Sequence, residues 1–229
     1  MFKDIVTDIF FDLDHTLWDF EKNSALTFHK ILIENKVDVE VASFLKEYVP
    51  INFAYWKLYR EEKISKEQLR FQRLRATFNA LGHEISDKDI HVIAADYIKY
   101  LSSFSHLFPD AIAVLEYLKP KYNLHIITNG FQEVQHKKML QSGISNYFST
   151  VVNSEMAGVK KPNPLIFEMA LKLANTSAQK SLMIGDSLEA DIIGAKAVGF
   201  KVLHFNTHQE PKHNHSAIVE QLIEIKNYL

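Results

Sequence analysis

From Pro109 onward the chain alternates between short aliphatic, β-branched runs and helix-length segments, and this alternation restricts the fold more than any other feature. Strand patterns fall at 124–128, 150–152, 181–184 and 201–204, and helical patterns at 110–118, 133–141, 164–173, 188–198 and about 216–228. Strands separated by helices of this length cannot pair as hairpins. Each connection must cross over, which makes neighbouring strands parallel and covers the sheet with helices. A further strand is expected at 5–11, where Ile5, Val6, Ile9, Phe10 and Phe11 supply β-branched and aromatic side chains. Residues 17–106, between that strand and the alternating region, carry helical signals only. Asp19 or Asn23 opens a helix through Leu26, Ile31 and Leu32. Phe44, Tyr48, Ile51, Tyr55, Trp56 and Tyr59 continue at three- and four-residue spacing, with a kink expected at Pro50. Ser65-Lys66-Glu67-Gln68 reads as a capping box whose helix closes at Gly82, and Ser86 opens another helix. The expected architecture is α/β: a Rossmann-like parallel-sheet core, residues 1–16 and 107–229, with helices on both faces and an all-helical cap, residues 17–106, inserted into it.

In open α/β sheets, ligands bind beyond the carboxyl ends of the strands. The first strand ends in Asp12-Leu13-Asp14-His15-Thr16, the second in Thr128-Asn129-Gly130, and the third in Ser154-Glu155, with Lys160-Lys161-Pro162 following. The fourth ends in Gly185-Asp186, with Asp191 five residues on, and the fifth in Asn206-Thr207. Asp12 and Asp14 can turn toward one point, and two carboxylates so close repel unless a proton or a cation lies between them. A hard divalent cation such as Mg2+, which takes oxygen ligands, answers that need. The set of carboxylates, a hydroxyl and a lysine is what phosphoryl transfer through an aspartyl phosphate requires.

Four segments, Asp12-Leu13-Asp14-His15-Thr16, Ile127-Thr128-Asn129-Gly130, Lys160-Lys161-Pro162 and Gly185-Asp186 with Asp191, stand in the order and at the intervals of the haloacid dehalogenase superfamily, and the chain resembles that family along its whole length. The resemblance implies a helical cap between the first and second motifs. It casts Asp12 as a nucleophile that also binds Mg2+, and Asp14 as the general acid and base, its main-chain carbonyl meeting the metal. It places Thr128 on a phosphoryl oxygen, with the N–H groups of Asn129 and Gly130 beside it. Lys161, directly before the proline, would neutralise the phosphoryl group and Asp12; Asp186 would bind the metal, and Asp191 would reach it through water or hold Lys161. Thr16 would orient Asp14. The flap Leu17-Trp18-Asp19-Phe20, together with Thr128-Asn129-Gly130-Phe131 and Ser154-Glu155-Met156-Ala157-Gly158-Val159, is similar to the pyrimidine 5'-nucleotidase branch. That implies hydrolysis of nucleoside monophosphates, with Trp18 and Phe20 as a flat apolar surface near the substrate. A sugar-phosphate phosphatase, a β-phosphoglucomutase-like enzyme and a non-catalytic phosphate-binding module are the alternatives.

Composition narrows the remaining classes. With 26 basic and 28 acidic residues and a net charge of -2, nothing points to a nucleic-acid polymer or a membrane surface as partner. The chain has no cysteine, which excludes disulfides, thiolate metal sites and a cysteine nucleophile. Charge arrives at Lys3 and Asp4 before any apolar run, and no apolar stretch approaches the ~18 residues of a membrane span. A cytoplasmic protein acting on a small phosphate ester is the expectation. The histidine-rich tail segment 208–215 lacks helical ligand spacing and reads as a polar loop rather than a zinc site. The cap aromatics Tyr48, Phe53, Tyr55, Trp56 and Tyr59 read mainly as core.

Overall fold

The computed structural model describes residues 2–229. Six strands among the described residues form one sheet: β1 (Asp8–Phe11), β2 (Asn123–Thr128), β3 (Thr150–Asn153), β4 (Ser181–Gly185), β5 (Lys201–Phe205) and β6 (Ala217–Val219). Their order is β3-β2-β1-β4-β5-β6, and every neighbouring pair is parallel. β1 lies between β2 and β4, with Phe11 opposite both Ile126 and Ile184. A strand in that position is covered on both faces, which is why Ile9, Phe10 and Phe11 are all apolar in an unbroken run and all fully buried. On one side Phe10 joins Ile127, Val152 and Met183 with Ile166 and Phe167 of the helix Pro164–Ala174 in a continuous apolar cluster.

Three expectations about elements are corrected. The first strand begins at Asp8 rather than residue 5, because Ile5 and Val6 donate their N–H groups to the Phe2 carbonyl in a tight turn. The expected helix at 216–228 is instead β6 followed by a 3-10 segment, Leu222–Asn227. The β-branched pair Ile218-Val219 satisfies its backbone by pairing with β5, so tertiary context overrides a periodicity that fits either element. The helix at 188–198 starts as a widened π turn, Leu188–Ile193, before a regular α-helical end, Gly194–Val198.

At the amino-terminal end of β1, Asp8 is buried and accepts hydrogen bonds from Thr7 (2.6 Å), Thr176 (2.8 Å) and Asn123 (3.2 Å), with His125 Nε2 3.1 Å away. Burial raises the Asp8 carboxyl, but these partners outweigh it and hold the group below the usual aspartate value.

The chain divides into two compact units: the described residues up to Phe20 with Ser105–Leu229, and Glu21–Phe104. Leu17, Trp18 and Phe20 thus belong with the sheet. The second unit comprises most of α1 (Phe20–Glu34) with α2 (Val41–Arg60), α3 (Lys66–Ala80) and α4 (Asp87–Tyr100). Helix α2 runs on through Pro50. Ser65 and Gln68 form the reciprocal capping box, and Ser86 caps Asp89 N–H. The interior is aromatic: Phe28 packs against Phe44, Tyr48 and Tyr97, while Arg73 lies near the Tyr48 and Tyr97 rings and donates to Asn52 at 2.8 Å. The segments leading out of the sheet unit and back are tied together, Phe108 N–H to Leu17 carbonyl at 2.9 Å and Asp19 N–H to His106 carbonyl at 3.1 Å. Among the described residues, no helix is long and apolar enough to cross a membrane.

Candidate active site

The carboxyl ends of β1, β2 and β4 bring the first group of side chains together. Asp12 leaves β1 with its N–H still bonded to the Ile184 carbonyl (2.9 Å), so its position is fixed by the central ladder. Asp186 follows β4 immediately, and Asp191 projects from the π turn behind it. The three carboxylates offer oxygens within 4.8 Å of one another. Lys161, 2% exposed, lies among them: Nζ is 2.5 Å from Asp12 Oδ1, 2.6 Å from Asp191 Oδ1, and donates to the Ile127 carbonyl at 2.7 Å. Burial alone would lower the lysine pKa, but Asp12 and Asp191 raise it above its usual value and keep it charged. Burial lifts the carboxyl of Asp12 well above the usual range, aided by Asp191 and Asp186 and opposed by Lys161. Asp186 is lifted for the same first reason, with His208 opposing. Three carboxylates facing one ammonium leave the cluster two negative charges in excess. The donors are all carboxylate oxygens, so the cluster fits a hard divalent cation both in charge and in chemistry.

Asp191 is already committed. One oxygen faces Lys161 and the other accepts from Ser187 N–H at 3.0 Å, while Gly185 leaves it room, since a Cβ there would lie 2.3 Å from Asp191 Oδ2. Of the two alternatives open for Asp191, the geometry is that of a residue holding Lys161. Asp12 keeps Oδ2 for a cation, and the Asp186 oxygens, approached by Thr16 at 3.3 Å and His208 at 3.1 Å, keep lone pairs for one.

Asp14 is turned away from this cluster. Its Oδ1 meets Lys138 Nζ at 2.5 Å and its Oδ2 accepts from Gln135 Nε2 at 3.0 Å. Both partners sit on the helix Gln132–Gln141, and both are buried. Gln135 Nε2 also donates to Thr128 Oγ1 at 2.7 Å, and Gly130 N–H donates to the same oxygen at 3.1 Å. Lys138 Nζ stands 4.2 Å from the centroid of the Trp18 ring and 5.3 Å from that of Phe20. Burial holds this ammonium below the usual lysine value, with Asp14 working against the shift.

The remaining candidates are distributed around these two groups. Thr16 donates to Asp186 Oδ1 at 3.3 Å rather than to Asp14. Asn129 braces the lysine loop, its Oδ1 accepting from Lys161 N–H at 2.7 Å and its Nδ2 donating to the Lys161 carbonyl at 3.0 Å. Trp18 is fully buried and Phe20 nearly so. Sequence reasoning did not single out Gln135, Lys138 or His15, and assigned His208 to a polar loop. His208 Nε2 approaches Asp186 Oδ2 at 3.1 Å, its ring 4.7 Å from that of His15. Behind it, His204 Nε2 bonds the Asp186 carbonyl at 2.8 Å. The helical spacing of Gln135 and Lys138 places them on one face of the helix Gln132–Gln141, but nothing local marks that face as buried beside an acid.

The model of the haloacid dehalogenase-like hydrolases matches residues 9–199, which span the segments at Asp12–Thr16, Thr128–Gly130, Lys160–Pro162 and Gly185–Asp191. The chain belongs to this family. Within it, the chain is 35% identical to pyrimidine 5'-nucleotidase PynA of Streptococcus pneumoniae over 207 residues, covering 90% of this chain and 86% of that protein. It is 36% identical to a glyceraldehyde 3-phosphate phosphatase of Pyrococcus abyssi, covering 86% of this chain and 80% of that protein. A solved structure of the hydrolase YfnB from Bacillus subtilis bound to magnesium superposes with a TM-score of 0.88 at 25% identity, covering 98% of each chain. As a member of this hydrolase family the chain is an enzyme, and the nucleotidase and phosphatase relatives place it with the phosphatases.

Proposed function

We propose that this enzyme hydrolyses a small phosphate monoester through a phosphoryl-Asp12 intermediate, with a pyrimidine nucleoside 5'-monophosphate as substrate. The observation that carries the reading is the division of labour within Asp12-Leu13-Asp14. Asp12 lies in the carboxylate cluster against Lys161, whereas Asp14 lies outside it between Gln135 and Lys138.

A carboxylate oxygen of Asp12 attacks phosphorus and the bond to the ester oxygen breaks. The departing alkoxide takes a proton from protonated Asp14, and the phosphoryl group resides on Asp12. Water then attacks phosphorus while Asp14, now a carboxylate, accepts its proton; the Asp12–phosphorus bond breaks and phosphate leaves. Lys161 stays charged and offsets negative charge on Asp12 and the transferring group. The Thr128 hydroxyl already accepts two hydrogen bonds, so its own proton is left to donate to a phosphoryl oxygen. Mg2+ held by Asp12 and Asp186, with Asp191 steadying Lys161, would supply the remaining charge neutralisation. The magnesium bound in the YfnB neighbour supports this choice of ion.

The pyrimidine assignment rests on the likeness to PynA, and a sugar-phosphate substrate is the second reading, favoured by the glyceraldehyde 3-phosphate phosphatase relatives. Phosphate release across nucleoside monophosphates, sugar phosphates and p-nitrophenyl phosphate, with Mg2+ and with EDTA, tests both. Preference for pyrimidine monophosphates supports the proposal, and preference for sugar phosphates replaces the substrate. Asp12→Asn should lower turnover by a factor on the order of 10⁴ or more while the protein stays folded. Normal activity in that variant removes Asp12 as the nucleophile.

A further inference from the structure

The amide nitrogen of Gln135 has two protons and two partners, Asp14 Oδ2 at 3.0 Å and Thr128 Oγ1 at 2.7 Å. It therefore joins the group read as acid and base to the group read as the phosphoryl hydrogen-bond donor. The amide orientation follows from chemistry, since the opposite one would set a carbonyl oxygen against the Asp14 carboxylate. The second Asp14 oxygen is held by Lys138, one turn further along the same helix, at 2.5 Å. Both side chains are 2% exposed. Gly130 completes the arrangement: a Cβ there would lie 2.2 Å from Gln135 Nε2, so the glycine leaves the space that the amide occupies.

We propose that Gln135 and Lys138 are positioning residues that set the polarity of the site. By donating to Thr128 Oγ1, Gln135, together with Gly130 N–H, occupies the acceptor sites of that hydroxyl and directs its proton outward as a donor. By holding both Asp14 oxygens, Gln135 and Lys138 fix the carboxyl at one orientation outside the Asp12 cluster. Lys138 is itself held in place, its ammonium lying over the Trp18 ring, where the cation–π attraction partly replaces lost hydration. The flap residue Trp18 thereby acts on Asp14 through Lys138. An ordinary structural ion pair would also be buried, but it would not require one amide to bridge the acid and the phosphoryl donor.

This inference rests on the reading of Asp14 as acid and base, and the experiment separates the two. The nitrophenolate of p-nitrophenyl phosphate leaves without a proton, whereas the 5'-alkoxide of a nucleoside monophosphate needs one. Single-turnover rates of phosphoryl transfer are compared for the two esters in wild type, Asp14→Asn, Lys138→Met, Lys138→Arg and Gln135→Leu, after circular dichroism and melting confirm folding. Asp14→Asn should slow the alkyl ester by about 10²- to 10⁴-fold, the range for a lost general acid, and the aryl ester far less. Lys138→Met and Gln135→Leu should show the same bias at about 10- to 100-fold, the range for outer partners of a reactive group. Gln135→Leu should in addition weaken inhibition by inorganic phosphate, through Thr128. Lys138→Arg should recover most of the alkyl-ester rate.

Equal losses on both esters in Lys138→Met and Gln135→Leu, with the bias intact in Asp14→Asn, would overturn the positioning role alone. No bias in Asp14→Asn would overturn the acid assignment and the inference with it. In an Asp14→Asn background, Lys138→Met should add little; an additive loss would also overturn the inference.

Discussion

Replacing Lys161 by Met tests the electrostatic design of the site. Lys161 contacts Asp12 at 2.5 Å and Asp191 at 2.6 Å. At an effective dielectric of about 20 each contact is worth about 6 kcal/mol in gross Coulomb attraction, most of it offset by the desolvation of three buried charges. Methionine restores most of the volume, so the cavity contribution is small. What remains is the cost of stranding two buried carboxylates, and removal of one partner from a buried pair costs about 3–5 kcal/mol. The upper part of that range is expected here because the one cation serves two anions. The lysine pKa is raised above its usual 10.5, so its contribution is complete below pH 10.5 and lost only above that.

In the variant, the Asp12 carboxyl loses its main opposing influence and rises further. An acid whose folded pKa exceeds its unfolded one loses folding stability as pH climbs between the two values. The gap between wild type and variant should therefore widen as pH rises above the wild-type Asp12 value, by up to about 1.4 kcal/mol per unit for each titrating group. Urea unfolding in EDTA at several pH values measures it. Mg2+ should then return part of the loss, about 2.7 kcal/mol at a hundredfold excess over its dissociation constant. A loss under about 1 kcal/mol, or one that grows as pH falls, would refute the reasoning.

Two further substitutions probe other parts of the sheet unit. Gly130→Ala should move the Gln135 amide, which would otherwise be 2.2 Å from the new Cβ, and reproduce the ester bias of Gln135→Leu, at a cost of about 1–3 kcal/mol in stability as the buried amide and its partners lose their hydrogen bonds; unbiased kinetics would contradict this. His125 is buried and, chiefly for that reason, titrates below its usual 6.5, so wild-type stability should decline as pH falls through and below 6.5, where the unfolded chain binds the proton first. In His125→Phe that part of the pH dependence should vanish from thermal melts while activity is retained, and an unchanged pH profile would remove His125 as its source.

Much of this molecule was legible because parallel sheets write themselves plainly. An unbroken apolar, aromatic run such as Ile9-Phe10-Phe11 suits a strand covered on both faces, and the acids that follow then stand at its carboxyl end. The tail was not legible for the opposite reason. Ile218, Val219, Leu222 and Ile225 satisfy either a helix or a strand plus a turn, and the free edge of β5 decided between them. In the site, residues at strand ends were visible from sequence, whereas Gln135 and Lys138 were not. A buried lysine on a helix is distinguished from a solvated one only by an acid that arrives from 124 positions earlier in the chain. His208 became significant for a similar reason, since a polar loop reaches Asp186 only once β4 and β5 are side by side.

The position of β1 also sets a timetable for folding. It leaves the ribosome before the other five strands and needs partners on both edges, yet those partners begin at Asn123 and Ser181. Until they are made, Ile9, Phe10 and Phe11 form an unpaired, apolar, β-prone segment, the type that associates with other chains. The helical unit, whose contacts lie within Glu21–Phe104, is complete in sequence well before then. Local contacts form quickly and distant ones slowly. The segment that ends in Asp12 is thus synthesised ahead of both its partners and secured after them, so conditions that slow synthesis or raise chain concentration threaten the yield of this enzyme before they affect its stability.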